Sequence, residues 1–582
     1  MNKLKPLPEE WSGLLNNEQK EAIENINGPL LIIAGAGSGK TRVLTYRYAH
    51  LIKTYGINFE NVLAITFTNK AANEMKDRIS DLLNLELSPK WISTFHSLCV
   101  KMLRIHGHLI GFNNNFTIYD QSDSTKLVRN CMRDSDIDTK QYSPKRIQAH
   151  ISSLKNQRIL PGEAVEFAQS FFDVKVAEIY SSYQKKLMLA NSMDFDDLLI
   201  KAVELLETSD KSLNYWSSKF QYIMIDEYQD TNMVQYRLVE LLASKHKNIC
   251  VVGDSDQSIY AFRGADIRNI EEFESDFKDA KVISLEKNYR SSQKILDIAN
   301  AVISNNPRKK DKKLWTDNDE GLDVNLVEFN SERDESRWIA EQINKLLEDK
   351  AFTEIAIFYR TNNQSRLFEE ELRKLSLSYK VVGNVRFYDR KEIKDILAYL
   401  NYLINPEDTV SFERILNVPK RGIGESTLQK LRDYANKNEI SLSKSIENLD
   451  EINNLSDRVK KQIDNFKEII NDLKSFALQG PSETISKTLE LTGYKDELVK
   501  EGTLDSQMRL ENLDELLTSA FEFENLYEED IEDPFTVLRD YLESIALFTD
   551  SDDVDKEDRI LLMTLHNAKG LEFPVVFMTG ME

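Results

Sequence analysis

The sequence predicts an α/β protein built on two parallel sheets flanked by helices, each interrupted by a mainly helical insertion. Three observations carry this expectation. First, short apolar runs recur early in the chain and break off in small or polar residues: "PLLIIAGAGSGKT", "NVLAITFTNKAA", "YIMIDEYQD" and "NICVVGDSDQS". Runs of this kind, several followed by helical patterns, read as buried parallel strands whose C-terminal ends carry the ligand chemistry. Second, another strand-rich set follows ("VISLEKNYRSS", "VNLVEF", "IAIFYRTNNQS"), and strand-like segments return in "ILLMTLHNAKGLEFPVVFMTG". Third, helical patterns dominate two intervening stretches, about 110–207, with no strand signal of its own, and about 379–554.

Composition narrows the class. A chain of 582 residues holds several domains, about four at roughly 150 residues each. No apolar stretch approaches the roughly 20 residues that span a bilayer. The N-terminal "MNKLKPLPEEW" lacks the apolar run of a signal peptide. The three cysteines, Cys99, Cys131 and Cys250, lie far apart, which argues against a disulfide framework or a zinc site. The expectation is a reduced, cytoplasmic compartment and no membrane partner. The formal charge of −22 argues superficially against nucleic acid, but a partner feels a local patch, not a sum. Acids crowd into 522–534 and 550–558, while "RKKDKK" (308–313) is basic.

The first run ends in "AGAGSGKT" (34–41), which fits a phosphate-binding loop with Ala34 where the generic pattern has its first glycine. Gly35, Gly37 and Gly39, with Ala36 and Ser38 between them, let backbone N–H groups turn toward phosphate oxygens. Lys40 would reach the β- and γ-phosphates, and the Thr41 hydroxyl would bind Mg²⁺. The plain alternative is a glycine-rich strand-to-helix turn. The strand before it and the helical "TRVLTYRYAHLIK" after it favour a nucleoside triphosphate. Such a site needs a second, acidic edge. Asp226, ending the third run, is the candidate metal carboxylate, and Glu227 is the candidate general base for an attacking water.

Seven segments in order, "GAGSGKT", "AITFTNKAANEM", "TFHSLC", "DEYQDT", "VVGDSDQSIYAFRGA", "NYRSS" and "MTLHNAKGLEFPVVF", resemble the UvrD/Rep/PcrA group of superfamily 1 DNA helicases. The resemblance runs from about residue 14 to the end. It implies two RecA-like P-loop NTPase domains with helical insertions: 1A at 1–110 and 208–284, 1B at 111–207, 2A at 285–378 and 555–582, and 2B at 379–554. It further implies ATP and Mg²⁺ as ligands, and 3′→5′ movement on single-stranded DNA with duplex separation in repair and replication. Implied partners are single-stranded and 3′-tailed duplex DNA, together with repair, replication or transcription proteins. By motif position, Gln19 would read the adenine edge, Tyr289 would stack on the base, and Arg290 would contact the γ-phosphate. Arg42 and Glu572 would approach the nucleotide, and Gln257 would sense the γ-phosphate for the aromatic residues after it.

For DNA, the resemblance and the stacking chemistry together nominate Phe67, Thr68 and Asn69 in "TFTN", His96, Phe195, and Tyr260, Phe262 and Arg263. The group usually has tryptophan where Phe262 stands. Arg360, Asn363 and His566 match positions that contact the DNA backbone. "VPKRGIGESTLQKL" (418–431) resembles a helix–hairpin–helix turn, with a plain glycine turn as the alternative. Relatives continue past "FMTGME" into a motif whose arginine completes the γ-phosphate cage. The resemblance therefore implies an incomplete second RecA-like domain and weak hydrolysis and unwinding. Two other readings stay open: a DNA-binding ATPase regulator that displaces or docks proteins, and the motor part of a helicase–nuclease.

Overall fold

A computed structural model describes residues 5–85, 89–306, 312–383, 387–527, 533–548 and 558–582. Parts of both acidic runs and residues 308–311 of the basic run lie outside the described residues. In chain order the strands are β1 (Leu30–Ala34), β2 (Val62–Thr66), β3 (Ile92–Thr94), β4 (Thr117–Tyr119), β5 (Ser192–Asp194) and β6 (Tyr222–Ile225). The later ones are β7 (Ile249–Gly253), β8 (Lys281–Leu285), β9 (Ile355–Tyr359), β10 (Tyr379–Val381), β11 (Ile560–Thr564) and β12 (Val575–Met578). The chain forms two compact units, one from residues 1–98, 213–386 and 548–582, the other from 99–212 and 387–547.

The first unit contains two parallel sheets. Six strands run in the order β3-β2-β6-β7-β1-β8, and four in the order β10-β11-β9-β12. Every residue of β2, β6 and β7 is buried, as expected for parallel strands covered on both faces. Because all six strands point the same way, the turns after β1, β6 and β7 open on one edge. That edge receives the glycine loop, "DEYQDT" and "GDSDQ" together. The helix Asn17–Glu24, which carries Gln19, is tied to the helix Lys40–Tyr55 by the buried Arg47, whose Nη1 donates to the Ala22 carbonyl at 2.7 Å. In the smaller sheet, Ile355, Ile357, Ile560 and Leu562 pack on Ile339, Ile343, Phe368 and Leu372. Burial of each such side chain contributes about 1.5–3 kcal/mol.

The second unit is mainly helical. Its two insertions share a core face: the Tyr119 hydroxyl donates to Asp408 Oδ1 at 2.6 Å, and Asn405 Nδ2 donates to Thr117 Oγ1 and to the Ala190 and Asn191 carbonyls. Among the described residues no helix is long and apolar enough to cross a membrane.

Three sequence expectations need correction. "VISLEKNYRSS" reads with the second strand set, although the 1A bound at 284 keeps most of its strand in the first domain; β8 pairs with β1 at the edge of the first sheet. "VNLVEF" (324–329) forms no strand; Leu326 is 94% exposed, so no second face covers its alternation. The first insertion does contain strands, β4 and β5, paired in parallel. At three residues each they are too short to show a period.

Candidate nucleotide and DNA site

The glycine loop leaves the buried end of β1 at Ala34. Gly37 and Gly39 take φ of +65° and +86°, the left-handed region that glycine enters without a Cβ clash. A Cβ on Gly37 would stand 2.6 Å from Asn288 Nδ2 and 2.7 Å from Arg290 Cβ, so the loop also needs glycine for close approach. Two loop carbonyls are taken from outside: Asn288 Nδ2 donates to Ala36 O at 2.6 Å, and the Tyr289 N–H to Gly37 O at 2.9 Å. Ser38 Oγ donates to Gly35 O at 2.8 Å. Thr41, half-buried, and the exposed Arg42 follow Lys40 in the first turn of the helix.

The Gln19 amide is fixed at both ends. Its Oε1 accepts the Asn16 N–H at 3.1 Å, and its Nε2 donates to Ser38 O at 3.1 Å. This orientation leaves one lone pair and one N–H of the amide for a further partner. Asn16 Nδ2 donates to the Tyr289 hydroxyl at 3.0 Å, which places the half-exposed Tyr289 ring beside Gln19's helix. Arg290 and Glu572 are exposed and joined by an ion pair.

Strand β6 delivers Asp226 and Glu227. Glu227 adopts φ +51° and ψ +42°, an uncommon conformation for a residue with a Cβ. Its Oε1 lies 2.8 Å from Lys40 Nζ, and its Oε2 accepts from Gln229 Nε2 at 2.5 Å. Gln229 Oε1 in turn accepts the Asp254 N–H at 2.9 Å, linking the ends of β6 and β7. Lys569, from the turn after β11, pairs with Asp230, stands 4.0 Å from Glu227 and donates to the Gln257 carbonyl at 2.7 Å.

The charges divide these carboxylates. Burial, then repulsion from Glu227, pushes Asp226 up to about 7. Burial pulls Glu227 upward too, but the Lys40 and Lys569 ammoniums prevail and hold it below the ordinary carboxylate range. Burial alone would lower Lys40; the carboxylates of Glu227 and Asp226 outweigh it and raise the ammonium. The donor set fits a small hard cation. Asp226 is a buried carboxylate without an ion-pair partner among those described, Thr41 supplies a hydroxyl, and Mg²⁺ takes oxygen ligands while keeping phosphate and water in its shell. Among the described residues no cluster of three His, Cys, Asp or Glu could hold a metal alone. The Lys40 Nζ is buried and, its ion pair aside, has no hydrogen-bond partner, as suits a group waiting for phosphate oxygens.

Beyond Gln257 the chain turns into an aromatic cluster. The Phe67 and Tyr260 rings stack at 6.3 Å with 9° between planes, and Phe262 meets His566 edge-on at 5.0 Å. Tyr260 lies 6.2 Å from Phe262 and 6.1 Å from His566, and its hydroxyl donates to the His566 carbonyl at 2.9 Å. The Arg263 guanidinium covers the Tyr260 and Phe262 rings at 5.4 and 5.6 Å, and Arg360 Nη1 lies 3.3 Å from His566 Nδ1. Burial, then the charges of Arg360 and Arg263, lowers the His566 imidazole below its ordinary value. Phe262 remains 65% exposed. The cluster thus offers open ring faces rimmed by two arginines.

Other candidates lie where their elements put them. Thr68 caps the helix Asn69–Leu83 by accepting the Ala71 N–H, and Asn69 opens that helix. His96, half-buried in the first turn of Phe95–His106, is pushed down to about 4 by burial. Asn363 is exposed in the turn after β9. Phe195 belongs to the other unit, half-buried at the start of the helix Phe195–Thr208. Sequence reasoning missed Asn16, Asn288, Lys312 and Lys569. Asn288 and Lys569 lie inside motifs already quoted, so adjacency to Tyr289 and Glu572 was the available signal.

A phosphate loop, a divided acidic edge and a neighbouring aromatic cluster on one parallel-sheet edge describe a nucleotide-driven machine. The UvrD/REP helicase N-terminal domain family matches residues 15–278, and the UvrD-like helicase C-terminal domain family matches 283–582. The chain belongs to the UvrD/REP helicase family and is an enzyme of the helicase class. It is 46% identical over 570 residues to the ATP-dependent DNA helicase PcrA of Staphylococcus aureus (strain Mu50), spanning 98% of this chain and 77% of that protein. The PcrA of Staphylococcus epidermidis (strain RP62A) matches at the same identity, over 98% of this chain and 78% of its own.

Proposed function

We propose that this chain is an ATP-dependent DNA helicase that moves 3′→5′ along single-stranded DNA and separates duplex in DNA repair and replication. One observation carries the reading most: only two residues separate Gln257, hydrogen-bonded into the acidic edge, from Tyr260, stacked in the aromatic cluster. A displacement at one end of so short a segment reaches the other.

In this reading Lys40 and Arg290 contact the triphosphate, Gln19 and Tyr289 hold the adenine, and Glu572 faces the ribose. Glu227, kept ionised by two lysines, accepts a proton from the attacking water at a carboxylate oxygen. Thr41 and Asp226 would hold Mg²⁺, which supplies charge neutralisation at the phosphates. Phe67, Tyr260 and Phe262 stack on bases, while Arg263, Arg360, Asn363 and His566 meet the backbone. Thr68, Asn69 and His96 extend the same track, and Phe195, in the second unit, is proposed to contact DNA as well. In the second unit, Gly422 and Gly424 have open space around them, and their turn is proposed to meet duplex phosphates through backbone amides. The relatives' names support DNA as the track, and the two family matches support a helicase.

Strand displacement tests the whole reading. With ATP and Mg²⁺, a 3′-tailed duplex is separated and a 5′-tailed or blunt duplex is not. Equal separation of 5′-tailed substrate refutes the direction, and separation of neither, with ATP turnover intact, favours a regulator.

A further inference from the structure

The stretch Lys312–Thr316 is pinned along its length. The Asn288 N–H donates to Trp315 O at 2.7 Å, Trp315 N–H to Glu286 O at 3.3 Å, and Thr316 Oγ1 to Asn288 O at 2.8 Å. Asn300 Nδ2 donates to Leu314 O at 2.9 Å. Asn288 and Tyr289, next to this stretch, are the residues that hold the glycine-loop carbonyls. At the head of the stretch, the Lys312 side chain is only 8% exposed, with its ammonium paired to Asp254 Oδ1 and 3.2 Å from Asp256 Oδ2. A lone buried ammonium would be strongly unfavourable, so the two carboxylates and the lysine hold one another in place.

The consequence falls on Gln257. Asp254 Oδ2 accepts Gln257 Nε2 at 2.6 Å, while Oδ1 takes Lys312 and the Asp256 N–H at 3.1 Å. With its oxygens divided in this way, the Asp254 carboxylate cannot rotate, and the Gln257 amide is aimed. Without Lys312 the carboxylate keeps only amide partners and swings with the loop.

We propose that Lys312 is a positioning residue for the reaction. It locks Asp254 so that Gln257 is presented to the nucleotide, and it makes the Gln257 loop follow the segment that grips the glycine loop. The inference rests on the ATPase reading above and adds to it the part that ties the coupling loop to the nucleotide.

The test uses the full chain with Lys312→Met and Lys312→Arg. In nucleotide-free protein, hydrogen exchange of the amides at 255–264 accelerates about tenfold in Lys312→Met and stays near wild type in Lys312→Arg. In DNA-stimulated hydrolysis, Lys312→Met lowers kcat by about tenfold with KM for ATP within roughly threefold, and Lys312→Arg recovers most of the loss. If Lys312→Met folds poorly, Asp256→Asn loosens the same tie from the other side and is read by the same exchange. Wild-type exchange and kcat in Lys312→Met overturn the proposal. So does an arginine variant that fails as the methionine one does, with a raised KM and a lowered melting temperature, because a simple structural prop behaves that way. A wild-type chain that does not turn over ATP overturns the parent reading instead, and the exchange result still decides Lys312.

Discussion

The Lys569 ammonium donates to the Gln257 carbonyl at 2.7 Å, and the same nitrogen pairs with Asp230. One side chain from the turn after β11 therefore touches the loops that follow both β6 and β7. Burial pushes Asp230 up to about 6 even against the pull of Lys569. With the lysine removed, Asp230 binds a proton near neutral pH and lets go of the cleft. Lys569→Met is expected to lower DNA-stimulated ATP turnover by about tenfold to a hundredfold while leaving fluorescent-nucleotide affinity within roughly threefold. Comparable losses in both measurements would reduce Lys569 to a nucleotide ligand.

The Asp226 carboxyl sets a pH dependence of stability. Its native value of about 7 lies above the ordinary carboxylate range, so the native state binds more protons than the unfolded chain between about 4 and 7. The sign follows: this group favours the fold at low pH, and that contribution fades as pH rises through about 7. Asp226→Asn removes the buried charge. Chemical denaturation at pH 8 should show the variant more stable than wild type by on the order of 1–3 kcal/mol, with the gap closing by pH 5. A gap that is constant with pH contradicts the assignment.

Gln19 is expected to choose the base. Its amide is pinned by Asn16 and Ser38, so its free lone pair and N–H match the amine and ring nitrogen that adenine presents side by side. Gln19→Ala should weaken ATP binding by about tenfold and narrow the preference for ATP over GTP by a similar factor. Titration with both nucleotides measures this. A lost affinity with unchanged base preference places Gln19 outside recognition.

The aromatic cluster should grip single strands without regard to sequence. Each stacked base is worth about 1–3 kcal/mol, so Tyr260→Ala or Phe262→Ala should weaken oligonucleotide binding by roughly fivefold to a hundredfold. Phe262 is mostly exposed, and its removal should change stability by less than about 0.5 kcal/mol. Phe262→Trp enlarges the ring and should tighten binding by a few-fold. Fluorescence anisotropy with mixed-sequence oligonucleotides reads all three, and unchanged binding in both alanine variants excludes the cluster as a contact surface.

Much of this site was legible because its parts are contiguous. "AGAGSGKT" and "YIMIDE" place strand, turn and reactive group within one window, where apolar runs and glycines speak directly. Lys312 was not legible, and Lys569 only by its place in a quoted motif, since a lysine's meaning depends on which carboxylate the fold brings to it. The same limit explains the strand corrections. Alternation in "VNLVEF" announces a strand, but nothing local says whether another strand lies alongside. The run of β8 likewise announces a strand, not which sheet it joins; its edge place leaves only Ile283 and Leu285 buried. His96 shows the reverse case: its motif position was plain, while the degree of its burial came only from packing.

The left-handed backbone at Glu227 has a consequence of another kind. Its unfavourable energy, about 1–2 kcal/mol for a residue with a Cβ, resides in two dihedral angles and in no contact. Repacking the surrounding cores cannot relieve it; only a different residue at that position can. A random library of this gene, sorted for heat resistance alone, would therefore drift toward glycine at 227. Its survivors would fold well and carry no base.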